Sequence, residues 1–74
     1  MSKLGNIRAR DIENVLRKLG YILHHQRGSH RYYVKNGKII TVPIHKGKTL
    51  GKGLVSKIIT KDLGISVDEF FELL

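Results

Sequence analysis

Residues 30–42 read HRYYVKNGKIITV. Two runs rich in β-branched and aromatic residues flank Asn36-Gly37, the dipeptide best suited to a two-residue hairpin turn because both positions there take positive φ. Such a turn fixes the register: Lys35 faces Lys38, Val34 faces Ile39, Tyr33 faces Ile40, Tyr32 faces Thr41, Arg31 faces Val42 and His30 faces Pro43. One face of the hairpin then carries His30, Tyr32, Val34, Ile39 and Thr41, and the other Arg31, Tyr33, Ile40 and Val42. Both faces are mixed. Tyr33, Ile40 and Val42 form the better core set, and that choice leaves His30 in solvent. Lys35 and Lys38, paired at the turn, repel one another, a cost that a bound anion or plain solvation would offset.

Upstream, YILHHQR (21–27) opens on three β-prone residues and is short enough for a further strand, while RDIENVLRKLG (10–20) has Ile12, Val15, Leu16 and Leu19 at i, i+3, i+4 and i+7. Asp11 and Glu13 stand early in that helix, Arg17 and Lys18 late, and Gly20 stops it. Downstream, Pro43 ends the third strand. The stretch IHKGKTLGKG (44–53) feeds a second helix with the apolar stripe Leu54, Val55, Ile58 and Ile59. SVDEFFELL (66–74) begins with a capping-box pair, Ser66 and Glu69, ahead of Val67, Phe70, Phe71 and Leu74. The expected class is α+β, in the order α-β-β-β-α with a short C-terminal helix, the three-stranded antiparallel sheet being packed by helices on one face. With 74 residues and 8.4 kDa, the chain reads as a single domain, 1–74, with a modest core.

Composition narrows the function. There are no cysteines, so neither a disulfide scaffold nor a thiolate zinc site is available. No apolar run is long enough for a signal peptide or a membrane span, and the expectation is a cytoplasmic protein without membrane contact. The net charge is +8, and from position 14 to position 61 the sequence has no carboxylate. Arg27, Arg31, Lys35, Lys38, Lys46, Lys48 and Lys52 all fall in that stretch, interleaved with aromatic Tyr21, Tyr32 and Tyr33 that can stack on bases. Charge that serves solubility alone usually mixes signs, so a polyanion, and above all nucleic acid, is the expected partner. The glycine-rich basic loop before the second helix suits phosphate, since free backbone N–H groups there point outward. It is not a P-loop: GKTLGK (47–52) has three residues between glycines where that motif needs four, and Gly53 stands where Ser or Thr would follow the lysine.

All four histidines, His24, His25, His30 and His45, lie in the carboxylate-free stretch. A two-metal phosphodiesterase has nothing there to hold its ions, and a histidine zinc site lacks its usual Cys and Asp partners, so no metal and no other cofactor is expected. Imidazole, however, moves protons near neutral pH unaided, and RNA supplies its own nucleophile in the 2′-hydroxyl. A metal-independent ribonuclease is therefore chemically open to this chain. His24 and His25 read as strand surface residues. His45 reads equally as a loop contact to phosphate and as a second catalytic group, and His30 alone would pass for a surface histidine.

The order of these elements resembles the HicA toxin family, small messenger-RNA-cleaving toxins that pair with a HicB antitoxin. The resemblance runs from about Arg10 to Leu74. It rests on Gly28-Ser29-His30 before an aromatic strand with Tyr33, on Val42, Pro43, His45, Gly47 and Lys48 as a Val-Pro-x-His-x-Gly-Lys element, and on Gly20 and Gly64 at helix ends. The family pattern departs at LGKGLVSKI, where glycines crowd the start of the second helix. The resemblance implies a double-stranded-RNA-binding-like fold, mRNA as substrate, a HicB-type antitoxin as partner, and His30 as the residue on which activity depends; from their own chemistry, Ser29 and His45 are the candidates to support it. Arg27, Gly28, Arg31, Lys35, Lys38, Lys46, Gly47, Lys48 and Lys52 are the expected RNA contacts. A double-stranded-RNA-binding module that cuts nothing is the alternative, and His30 is the residue that separates the two.

Overall fold

The computed structural model describes residues 3–45 and 47–74; Lys46, one of the expected RNA contacts, lies outside them. A 3-10 turn (Lys3–Asn6) leads into α1 (Ala9–Lys18). Then come β1 (Ile22–Arg27), β2 (His30–Lys35) and β3 (Lys38–Pro43), followed by α2 (Lys52–Ser56), a π-helical stretch (Lys57–Asp62) and α3 (Val67–Leu73). The sheet is antiparallel with order β1-β2-β3. One face is packed by helices and the other is open, the double-stranded-RNA-binding-like arrangement expected.

Local chemistry sets the ends of α1. The Asp11 carboxylate accepts the Arg8 N–H at 2.9 Å, in front of a helix whose first N–H groups otherwise lack partners. At the other end the Tyr21 N–H donates to the Leu16 carbonyl at 2.9 Å and the Gly20 N–H to that of Arg17 at 3.0 Å. Gly20, with φ +95°, supplies the left-handed residue this double closure needs. The helix buries Ile12, Val15 and Leu16 completely.

The Asn36-Gly37 turn sets the β2–β3 register pair for pair as its chemistry dictates, from Lys35 opposite Lys38 to His30 opposite Pro43. Tyr33, Ile40 and Val42 face α1, α2 and α3 and are buried with Val55, Ile58, Ile59 and Phe70. His30 is exposed, as that choice of core face requires.

The structure departs from the sequence expectations in four places. The second helix is α-helical only over Lys52–Ser56 and then widens, with the Leu63 N–H donating to the Ile58 carbonyl at 2.8 Å, five residues back. The Thr60 hydroxyl donates to the Ser56 carbonyl at 2.7 Å, taking an acceptor of the regular ladder, as hydroxyl side chains do where helices bend. Tyr21 and Tyr33 are buried, which removes them as stacking platforms for bases. At the C-terminus Leu73, rather than Leu74, packs on the core; Ser66 caps α3 by accepting the Glu69 N–H at 3.0 Å. Lastly, although Lys35 pairs with Lys38 as expected, its ammonium is engaged elsewhere: it donates to the Leu19 carbonyl at 2.5 Å, beside the Tyr21 ring, and so serves the C-terminal end of α1.

Candidate nucleic-acid interface

The turn between β1 and β2 consists of Gly28 and Ser29, because Arg27 pairs with His30. Gly28 takes φ +58°, with open space where a side chain would stand, so the turn itself demands glycine at its first position. Gln26 closes the turn from the side, its Nε2 donating to the Gly28 carbonyl at 3.0 Å, and the Ser29 carbonyl accepts the Ile44 N–H at 2.6 Å, extending the ladder beyond β3. A Gly-Ser pair between two β-rich runs is a hairpin signal in its own right. Gly28-Ser29-His30 is therefore a device for presenting the first residue of β2.

His30 sits in the middle strand with Arg27 on one side and Pro43 on the other. Strand alternation puts it on the open face with Tyr32 and Val34. Among the described residues no carboxylate reaches it, for the two ion pairs there are Arg31–Glu13 and Lys57–Asp62. The row behind it is aromatic. β1 carries a bulge between Leu23 and His25, which brings His25 opposite Tyr32, and the two rings stack at 4.4 Å with an angle of 7°. The His24 and His25 Nδ1 atoms lie 2.8 Å apart, so one ring donates while the other accepts. Farther along the same face Ile22 and Ile39 flank Val34 and are exposed by 72% and 61%.

Arg31 belongs to the other face. Its Nη1 donates to both carboxylate oxygens of Glu13, at 2.8 and 3.1 Å, and its Nε donates to the Gln26 Oε1 at 3.1 Å. Glu13 is 5% exposed, and the Tyr33 hydroxyl also donates to it, at 2.7 Å. The hydrogen bond and charge of Glu13 hold the Arg31 pKa above its ordinary value. Burial first, and then the same Glu13 carboxylate, push the Tyr33 hydroxyl up to about 12.

A cleft of about 270 Å³ opens beside this pair, lined by Arg8, Ala9, Arg10, Glu13, Arg31, Ile44, His45, Gly47 and Lys48. A shallower one, lined by Gln26, Gly28, Ser29, Arg31 and Ile44, adjoins it. The expected contacts thus divide by place. Arg27 and His30 share the open face; Arg31, His45, Gly47 and Lys48 gather at the helix-side cleft, with Gly28 and Ser29 between the two. Lys52 is exposed at the start of α2, and Lys38 is exposed at the far end of the hairpin with Lys35, about 16 Å from His30 by strand rise. Arg8 and Arg10 escape the sequence reading, in which Glu13 figures only as an acid early in α1. Arg8 and Arg10 alternate around Ala9 where α1 begins, the one trace they leave in the sequence. Among the described residues no three His, Cys, Asp or Glu side chains come together as a metal site, and no helix is long and apolar enough to cross a membrane.

The model of one family, described as the HicA toxin of bacterial toxin-antitoxin, matches residues 9–65. The chain belongs to the HicA toxin family. That match runs from the first residue of α1 past Gly64, and so takes in the Gly28-Ser29 turn, His30 and the whole cleft apart from Arg8. Comparison with curated proteins gives no match. As a HicA-family chain, it is assigned to the toxins of bacterial toxin–antitoxin pairs.

Proposed function

We propose that this HicA-family protein is a metal-independent endoribonuclease that cleaves mRNA in the cytoplasm, with His30 as general base, and that a HicB-type antitoxin restrains it. The observation that carries the reading is the presentation of His30: a glycine turn of fixed geometry sets it exposed on the open face, opposite the Arg27 cation, within the residues that match the toxin family.

The imidazole takes the proton of a 2′-hydroxyl, the freed oxygen attacks the adjoining phosphorus, and the bond to the 5′-oxygen breaks. The products are a 2′,3′-cyclic phosphate and a 5′-hydroxyl. A positioned base is worth roughly 10²- to 10⁴-fold in rate, and Arg27 adds charge where the phosphorane becomes more anionic. Ser29, in the turn, holds a phosphate oxygen in this reading. The leaving 5′-oxygen takes its proton from water, since His45 lies in the helix-side cleft and not on the face that carries His30. The remaining cations, Lys48 and Lys52 among them, hold the strand through its phosphates, contacts without sequence information.

Incubating the purified protein with labelled single-stranded RNA in EDTA tests this. Cleavage that survives the chelator and leaves cyclic phosphate ends supports it, as does resistance of a substrate with hydrogen in place of the 2′-hydroxyl at the cut. Binding without any cleavage would instead make the chain an RNA-binding module.

A further inference from the structure

We infer that the helix-side cleft is a preformed site for a backbone phosphate of the bound RNA, separate from the phosphate attacked beside His30, and that Glu13 is the residue that positions Arg31 within it. The identity of the ligand as RNA rests on the reading above; the anion site itself rests on the cleft. Four fixed cations, Arg8, Arg10, Arg31 and Lys48, line it against one carboxylate, Glu13.

That carboxylate is already engaged. Both its oxygens accept from Arg31 Nη1, and one of them also accepts from the Tyr33 hydroxyl. With Nε held by Gln26, the Arg31 guanidinium is clamped on two sides, while the side chain keeps 34% of its surface in solvent, open to a ligand. An arginine so held loses little freedom when it meets a phosphate oxygen.

The opposite wall is also tied down. Arg8 and Thr49 form an isolated antiparallel bridge, the Leu50 N–H donates to the Ile7 carbonyl at 2.8 Å, and the Lys48 N–H turns back on the His45 carbonyl at 3.0 Å. Gly47 takes φ +74° to make that turn. Lys48 and Thr49 are thereby held against the start of α1, which carries Arg8 and Arg10. The start of α1 is not itself the attraction, since Asp11 already caps it. The cleft differs from the His30 face in holding a cation clamped by a buried carboxylate, Arg31 on Glu13.

The test uses the full chain and a 2′-O-methylated RNA hexamer, which cannot be cleaved, so a failure of the ribonuclease reading leaves this measurement intact. Lys48→Ala and Arg8→Ala should each weaken hexamer binding about tenfold, the worth of one charge-assisted contact. Lys61→Ala, which removes the same charge outside the cleft, should change it less than twofold. Glu13→Gln should also weaken binding, although it removes a negative charge, because Arg31 loses its clamp. Amide shifts on titration should include Ala9, Gly47 and Lys48, and inorganic phosphate at the same concentration should reproduce only a weak version of them. Equal losses for Lys48→Ala and Lys61→Ala would overturn the site in favour of bulk charge. Tighter binding by Glu13→Gln would overturn the positioning role.

Discussion

The Arg31 guanidinium on β2 and the Glu13 carboxylate on α1 meet at 2.8 Å, joining the end of the sheet that carries His30 to the helix behind it. Glu13 is buried and is also the acceptor for Tyr33, so its removal leaves two donors without their partner. Because Arg31 keeps a third of its side chain in water, that half of the loss is partly made good by solvent. Glu13→Ala should cost about 1–3 kcal/mol in urea unfolding, and Glu13→Gln, which can still accept from Tyr33, clearly less. Equal stability of Glu13→Ala and the parent would show that the network contributes nothing to the fold.

Tyr33 makes stability fall in alkali. Its folded pKa of about 12 lies above the ordinary value near 10, so the folded state keeps a proton that the unfolded state has lost. The stabilisation is full below pH 10 and disappears as the pH rises from about 10 to 12. Tyr33→Phe should flatten this part of the stability curve, and ultraviolet titration of the folded parent should show a late-ionising tyrosine that the variant lacks. A parent in which every tyrosine ionises near pH 10 would contradict the burial of Tyr33 first, and its pairing with Glu13 with it.

Much of this was legible in the sequence where one residue's covalent geometry decides the matter. Asn36-Gly37 allows one tight turn, and every β2–β3 pair follows from it. The stripe Ile12, Val15 and Leu16 identifies its own buried face. What depends on partners distant in the chain was not legible. Tyr33 gives no sign in the sequence that its hydroxyl finds Glu13, twenty positions away, and Arg31 reads as one more free cation until α1 is placed beneath it. The bulge at His24 and the widening after Ser56 arise from competition among backbone partners, which leaves the hydrophobic pattern unchanged. The cleft combines Arg8 and Arg10 with residues beyond position 43, so it exists only once the chain has folded.

Two glycines separate fold from function. Gly28 and Gly37 both take positive φ with open space around a would-be Cβ, so alanine at either should cost about 1–2 kcal/mol from the backbone alone. Gly37→Ala lies at the far tip of the hairpin and should leave RNA cleavage, measured on the folded fraction, close to the parental rate. Gly28→Ala re-aims the turn that presents His30 and should lower cleavage at least tenfold. Matching rates for the two variants would contradict the presenting role of Gly28-Ser29.

The central claim is that His30 does chemistry without holding the fold together. His30→Ala should unfold within about 0.5 kcal/mol of the parent, since an exposed strand residue contributes little to the core, and should bind the uncleavable hexamer with nearly parental affinity. The decisive measurement is its rate of RNA cleavage in EDTA beside that of the parent. The account predicts a loss of at least a hundredfold. A folded His30→Ala protein that cuts at the parental rate would contradict it.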